Sequence, residues 1–390
     1  MPKITVFILF YLATFLQAGT YGLTFMLPKL FSNFGANEKH VGITLVITTM
    51  FTLFSVYYSG HLTDKLGRML SLGISGIAIA VSLFLFGIAS QLGITIVVAS
   101  ALLGFGWGVF YTLGPVVLTR ITTPTERVRV FSLNSVFMMA GFGLSPVMAS
   151  MLESRGFSVA NAFFLMSAIC VLSALIFSLL RHPVRKLSEG FGAEQRSSLT
   201  IGTVKRIFAS PARTPVIMVC LGASVFAGIS NFQTVFADSK ELDYADFFLA
   251  YTITVVICRI LLAGFSGGKS PYKTIAALQY IMFASIVLFI YASNTQTMYL
   301  LVAVLFGIGY GASYPILVAM TANDAENDLV PQTLQFFALT YFIGIFGFPL
   351  VAGWIIVELT VNTLLTGIAV LAFIEASMAV KRSMEKRTKH

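Results

Sequence analysis

The sequence predicts an all-α polytopic membrane protein: twelve transmembrane helices in two pseudo-symmetric six-helix bundles. Three observations carry this. The 390 residues are 57% hydrophobic and 11% charged, with a mean hydropathy of +0.88, whereas a soluble chain carries roughly 25% charged residues. Apolar stretches long enough to cross the ~30 Å hydrocarbon layer recur along the whole chain. A set of glycines, aromatics and prolines also returns after a constant 203 residues.

Cutting at charge- and turn-rich segments places the spans at 4–27, 41–60, 70–89, 93–118, 130–152, 157–180, 213–236, 245–264, 274–292, 298–320, 332–357 and 361–380. Lys3 precedes an apolar run from Ile4 to Leu27. That run is too long for a signal-peptide core and has no clean cleavage site, so it reads as a retained first span. An even count puts both termini on one side. Residues 1–180 form the first bundle and 213–380 the second. Between them 181–212 is a basic linker with one amphipathic surface helix expected, and 381–390 is a basic tail.

Charge placement orients the chain. Twenty of the 25 Lys and Arg lie at the termini or in loops on their side, four lie opposite, at Lys29, Lys39, Arg155 and Lys240, and Arg259 lies within a span. That asymmetry predicts a multi-pass protein of the cell inner membrane with both termini cytoplasmic. The net charge of +9 is therefore topological. No basic domain could track a phosphate backbone, so nucleic acid is excluded as a partner. Cys170, Cys220 and Cys258 all sit inside apolar runs, where they read as small core hydrophobes rather than a disulfide framework.

The repeat is specific. Gly104, Gly106, Trp107, Gly108 and Tyr111 return as Gly307, Gly309, Tyr310, Gly311 and Tyr314, and Gly141, Pro146 and Ala149 return as Gly344, Pro349 and Ala352. Such a repeat predicts duplicated halves related by an axis along the membrane normal. The glycines let neighbouring helices approach closely. Gly141, Pro146, Gly344 and Pro349 are expected to bend their spans at matched depths.

Gly60-His-Leu-Thr-Asp64-Lys-Leu-Gly67-Arg68 follows the second span. It resembles the cytoplasmic loop of the major facilitator superfamily, G-x-L-x-D-R-x-G-R, with Lys65 in place of Arg. Gly60 and Gly67 would permit a tight reversal, and Asp64 offers a carboxylate to helix N-terminal amides or to arginines. The resemblance implies a latch of Gly60, Asp64, Gly67 and Arg68 that meets the start of the eleventh helix, where Pro331 suits the first turn. In the second half Gly268 stands where the acid should be, so the latch would be asymmetric. The fifth-helix pattern of drug exporters, G-x-x-x-G-P-x-x-G-G, is degraded to Gly141, Ser145, Pro146, Ala149 and Ser150, and Ser100 replaces the exporters' fourth-helix Arg.

In this architecture the solute is expected near mid-membrane, between the halves. The polar and aromatic residues at that depth are Gln17, Tyr21 and Thr24 on the first helix, Trp107 and Tyr111 on the fourth, Asn134 and Met138 on the fifth and Asn231 on the seventh. Tyr310 and Tyr314 follow on the tenth, with Gln335, Phe336 and Tyr341 on the eleventh. Each could equally be a packing contact; Gln17 is the strongest, because an unpartnered amide in lipid costs several kcal/mol. Arg259 and Glu375 read as snorkelling or latch-pairing groups close to span ends, with solute contact as the alternative.

A lining poor in charge suits a neutral or amphiphilic organic solute. The resemblance implies a monomeric secondary transporter working by alternating access among membrane lipids, with no cofactor or metal and with a proton as coupling ion, most readily an exporter. Topology equally admits an importer of a sugar or organic acid. The chain has no P-loop pattern, so ATP hydrolysis in cis is not expected. An intramembrane enzyme would need a nucleophile–base or metal cluster; His40, His61, His182 and His390 lie in loops or at a terminus, far apart in sequence.

Overall fold

The computed structural model describes residues 2–122, 126–188, 199–261, 270–292 and 295–387, apart from the side chains of residues 60, 61, 64, 127, 128, 386 and 387. Among these, twelve helices are long and apolar enough to cross a membrane: Lys3–Ser32, Glu38–Ser59, Arg68–Ile88, Ile94–Thr119, Arg129–Glu153, Val159–Leu179, Arg213–Asn231, Tyr244–Leu261, Pro271–Tyr291, Gln296–Asp324, Val330–Glu358 and Val361–Glu385. Helices satisfy every backbone group within the segment, as hydrocarbon demands. Hydroxyls on the spans are absorbed the same way: Thr48 donates to Thr44 O at 3.0 Å and Thr52 to Thr48 O at 2.8 Å.

The chain separates into two compact units, Met1–Ala193 and Glu194–His390. Within the first, the third span packs on the fourth and sixth, the second on the fourth, and the first on the fifth and sixth. The second unit repeats each pairing: ninth on tenth and twelfth, eighth on tenth, seventh on eleventh and twelfth. The glycines show how faithful the repeat is. A Cβ on Gly106 would lie 2.6 Å from Ser75 O, and one on Gly309 would lie 2.7 Å from Leu278 O, a partner displaced by the same 203 residues. A Cβ on Gly141 or Gly344 would lie 2.4 Å from Phe15 O or Cys220 O. Those two partners are 205 apart, so the first and seventh helices run two residues out of step with the rest of the repeat.

Several local expectations are corrected. The second helix runs through residue 60 to Leu66, so the reversal rests on Gly67 alone, whose φ of 80° suits glycine. The linker carries two short helices rather than one, Arg181–Ser188 and Ile201–Ala209. The second lies against the eleventh span through Phe208 and Phe336, with ring centroids 5.5 Å apart. Its Arg206 pairs with Glu326 and Asp328, and their carboxylates hold the guanidinium above its ordinary pKa. Pro146 and Pro349 are not matched: the fifth span stays α-helical through Pro146, whereas the eleventh makes a π turn at Ile343–Gly347 before Pro349 opens a new α segment. The last helix continues to Arg387, so Glu375 lies far from its end.

Candidate functional site

Each unit builds a cluster of aromatic rings, and one stacked pair in it recurs between the units. In the first, Tyr21 stacks on Trp107 with centroids 5.0 Å apart. In the second, Phe226 stacks on Tyr310 at 4.7 Å. These pairs are images, because 21 and 226 differ by the 205 of the first and seventh helices and 107 and 310 by 203. Stacking holds both rings of each pair in fixed orientation. Phe142 lies 5.0 Å from Tyr21, Tyr111 lies 6.4 Å from Trp107, and Thr24 donates to Tyr21 O at 2.7 Å. On the fifth span Asn134 donates to Met138 Sδ at 3.7 Å.

In the second unit Tyr314 meets Tyr341 at 5.6 Å, and Tyr341 hydrogen-bonds Tyr310. Asn231 is fully buried where the seventh helix breaks, donating to Ala227 O at 3.1 Å. Gln335 is half-buried. Phe336 faces the linker helix, apart from the tyrosines.

Gln17 does not face an open cavity. It is fully buried at the junction of the first, third and sixth helices, donating to Ser75 Oγ at 3.1 Å and accepting from Ser173 Oγ at 3.2 Å. Both ends of the amide are thus used within its own bundle.

Arg259 and Glu375, expected to snorkel or to pair in the latch, are both buried. Arg259 is 7% exposed, its guanidinium 5.7 Å from the Tyr314 ring centroid, a cation–π contact. Glu375 is 2% exposed and accepts from Gln279 Nε2. Two ionisable side chains therefore lie inside the second unit. A third buried group is structural: Asp324 accepts from Tyr272 at 2.8 Å and pairs with Arg382 at 2.9 Å, joining the ninth, tenth and twelfth helices.

Of the expected latch, Gly67 joins the second and third helices and Arg68 opens the third. The Asp64 side chain and residue 268 lie outside the described residues. Lys65, Arg68, Arg120, Arg181 and Arg185 line a cavity of about 300 Å³ beside Gly67. Arg259, the other expected latch residue, sits on the eighth span beside Tyr314; residues 262–269, which follow that span, lie outside the described residues. Among the described residues no cluster of His, Cys, Asp and Glu could hold a metal ion.

Sequence reasoning missed Phe226, Ser75, Ser173 and Gln279. Phe226 escaped because the 203-residue offset carries Tyr21 onto Ser224; the two-residue shift of the first and seventh helices shows only in the packing. The others show only as single polar residues in apolar runs, a weak signal until their helices are brought together.

Comparison with known proteins agrees with this architecture. A crystal structure of a peptide transporter in complex with sulfate superposes with a TM-score of 0.73 at 16% identity, covering 98% of this chain and 96% of that one. No curated protein sequence matches the chain. The family model described as Major Facilitator Superfamily matches residues 9–349. Twelve spans, duplicated units and a family match over most of the length place the chain among multi-pass membrane transporters rather than enzymes: it belongs to the major facilitator superfamily.

Proposed function

We propose that the chain exports a small amphiphilic organic solute by alternating access, driven by proton flow in the opposite direction, with both termini cytoplasmic. The observation behind the solute class is the repeated stack, Tyr21 on Trp107 and Phe226 on Tyr310. The four rings are buried in the core of their units, with the Thr24 and Tyr341 hydroxyls close by; a solute that parts them would find apolar faces beside hydroxyl groups, the mixture that holds an apolar body and orients a few polar atoms. Outward direction rests on the resemblance to exporters in the fifth span. The retained Gly141 abuts Phe15 O, and Ser145, in place of the pattern's second glycine, donates to Gly19 O at 2.6 Å. Proton drive needs a titratable group within a span, and Glu375 offers one.

A second reading has one observation in its favour. The buried Arg259 beside Tyr314 would suit a carboxylate, and with it the import of an organic acid.

Inverted vesicles with an imposed pH gradient, assayed against a panel of amphiphilic cations, neutral aromatics, sugars and organic acids, separate the two. Gradient-dependent accumulation of an amphiphile in inverted vesicles is expected. Accumulation of an organic acid only in right-side-out vesicles would replace the first reading with the second.

A further inference from the structure

Gln279 and Glu375 meet at the junction of the seventh, ninth and twelfth helices, and the pair lacks one hydrogen. Gln279 is fully buried and Glu375 is 2% exposed. The amide nitrogen donates to Glu375 Oε1, which leaves two acceptors, Glu375 Oε2 and Gln279 Oε1, without a hydrogen-bond partner among the described residues. Buried polar atoms are nearly always paired, and an ionised carboxylate in such a place must be compensated. A proton on the carboxyl converts one orphaned acceptor into the donor the pair is missing.

The surroundings are built around this group. A Cβ on Gly222 would lie 2.8 Å from Oε1 and 3.1 Å from Oε2, so the seventh helix carries glycine where the carboxyl needs room. Glu375 also forms part of the wall of a cavity of about 10 Å³, together with Tyr310, Ser313 and Tyr314. That is space for roughly one water molecule. The cavity joins the carboxyl to the tenth-helix tyrosines of the candidate solute site.

The repeat sharpens the point. The corresponding junction in the first unit is neutral: Gln17, the image of Gly222, donates to Ser75, and Ser173 shares its one hydroxyl hydrogen between Gln17 Oε1 and Ala13 O. Gly76, the image of Gln279, gives that amide its space, since a Cβ there would lie 3.2 Å from Gln17 Oε1. One half has a closed polar knot; the other has an ionisable group with an open valence.

We propose that Glu375 is the group that binds and releases the coupling proton, with Gln279 as its positioning residue and the small cavity as the route of exchange. The proton adds to a carboxylate oxygen and leaves through the cavity, changing the charge beside Tyr310 and Tyr314 by one. The seventh helix brings no titratable group to the carboxyl, only Val219, Gly222 and Ala223, and the ninth brings Gln279 and Met282. The tenth brings the Tyr310 and Tyr314 phenols, with Arg259 of the eighth across the Tyr314 ring. The eleventh meets the twelfth near Ile368 through the apolar Phe348. This inference rests on the proton-driven reading above.

The test is infrared titration of the purified full-length protein in lipid nanodiscs, with protons as the only ligand. The difference between wild type and Glu375→Gln should contain one carboxyl band that rises and falls with pH. Gln279→Leu should keep that band but move its frequency and midpoint, because the carboxyl loses its amide donor. A difference spectrum without a titrating band would overturn the proposal, as would a band that answers to sodium and not to pH. Vesicle transport separates the two readings. Wild type driven by a pH gradient with Glu375→Gln driven equally well would refute Glu375 as carrier and leave proton drive standing. No gradient dependence in wild type would remove proton drive, and this proposal with it.

Discussion

Replacing Gly104 and Gly307 by alanine tests the duplication at an unequal contact. A Cβ on Gly104 would lie 2.2 Å from Thr48 O, a backbone atom, while on Gly307 the corresponding Tyr251 O is 3.2 Å away and the nearest atoms belong to the Thr254 side chain, at 3.0 and 3.1 Å. For Gly104→Ala the second helix must retreat by on the order of 1 Å to reach ordinary van der Waals separation. Retreat also stretches the bond from Thr52 Oγ1 to Gly104 O, now 3.1 Å. Overpacking of this kind costs about 2–3 kcal/mol. Gly307→Ala asks only a few tenths of an ångström of a side chain and should cost under about 1 kcal/mol. Gly106→Ala and Gly309→Ala serve as controls, since their backbone contacts of 2.6 and 2.7 Å predict equal losses. Thermal unfolding in detergent, followed by size-exclusion chromatography with fluorescence detection, ranks the four. Equal midpoints for Gly104→Ala and Gly307→Ala, or a larger loss for Gly307→Ala, would refute the claim that close backbone approach sets the cost.

Arg382→Met should destabilise by about 3–5 kcal/mol, because Asp324 keeps a buried charge without its cation; adding Asp324→Leu should recover part of the loss in the same assay. Tyr310→Phe should keep the stack, lose about 1 kcal/mol with the bond to Tyr341 and slow transport of the panel solute, whereas Trp107→Ala should lose about 3–5 kcal/mol from the emptied stack; a normal rate for Tyr310→Phe would move the solute elsewhere. In a cysteine-free background, Asn33→Cys should react with an impermeant thiol reagent on intact cells and Lys186→Cys should not; the reverse would invert the topology.

The spans were legible because hydropathy and loop charge are local properties, and span ends read from the sequence fall within a few residues of the helices except where polar turns extend them, as at 60–66. The fixed offset identified Gly106 and Gly309 as equivalent positions, and their packing partners Ser75 and Leu278 keep the same 203-residue spacing. What escaped depends on contacts between distant segments. Gln17 reads as a solute ligand until Ser75 and Ser173 are seen to occupy both its ends. Glu375 reads as a snorkelling end group because Lys381 follows closely, yet the helix runs on and the neighbouring Gly222 and Gln279 enclose it. The π turn before Pro349 has no counterpart at Pro146, although both prolines occupy the same place in the repeat, so the proline alone does not encode it.

The stacked pair in the first unit has a spectroscopic consequence. The chain holds two tryptophans: Trp107, 2% exposed against Tyr21, and Trp354, 54% exposed on the outside of the eleventh span. Brominated lipid acyl chains should quench the emission of Trp354 and leave that of Trp107 nearly untouched. Trp354→Phe therefore turns the protein into its own single-fluorophore sensor, with the remaining indole lying flat on a tyrosine of the candidate solute wall. Its emission would report solute arriving there without an attached dye.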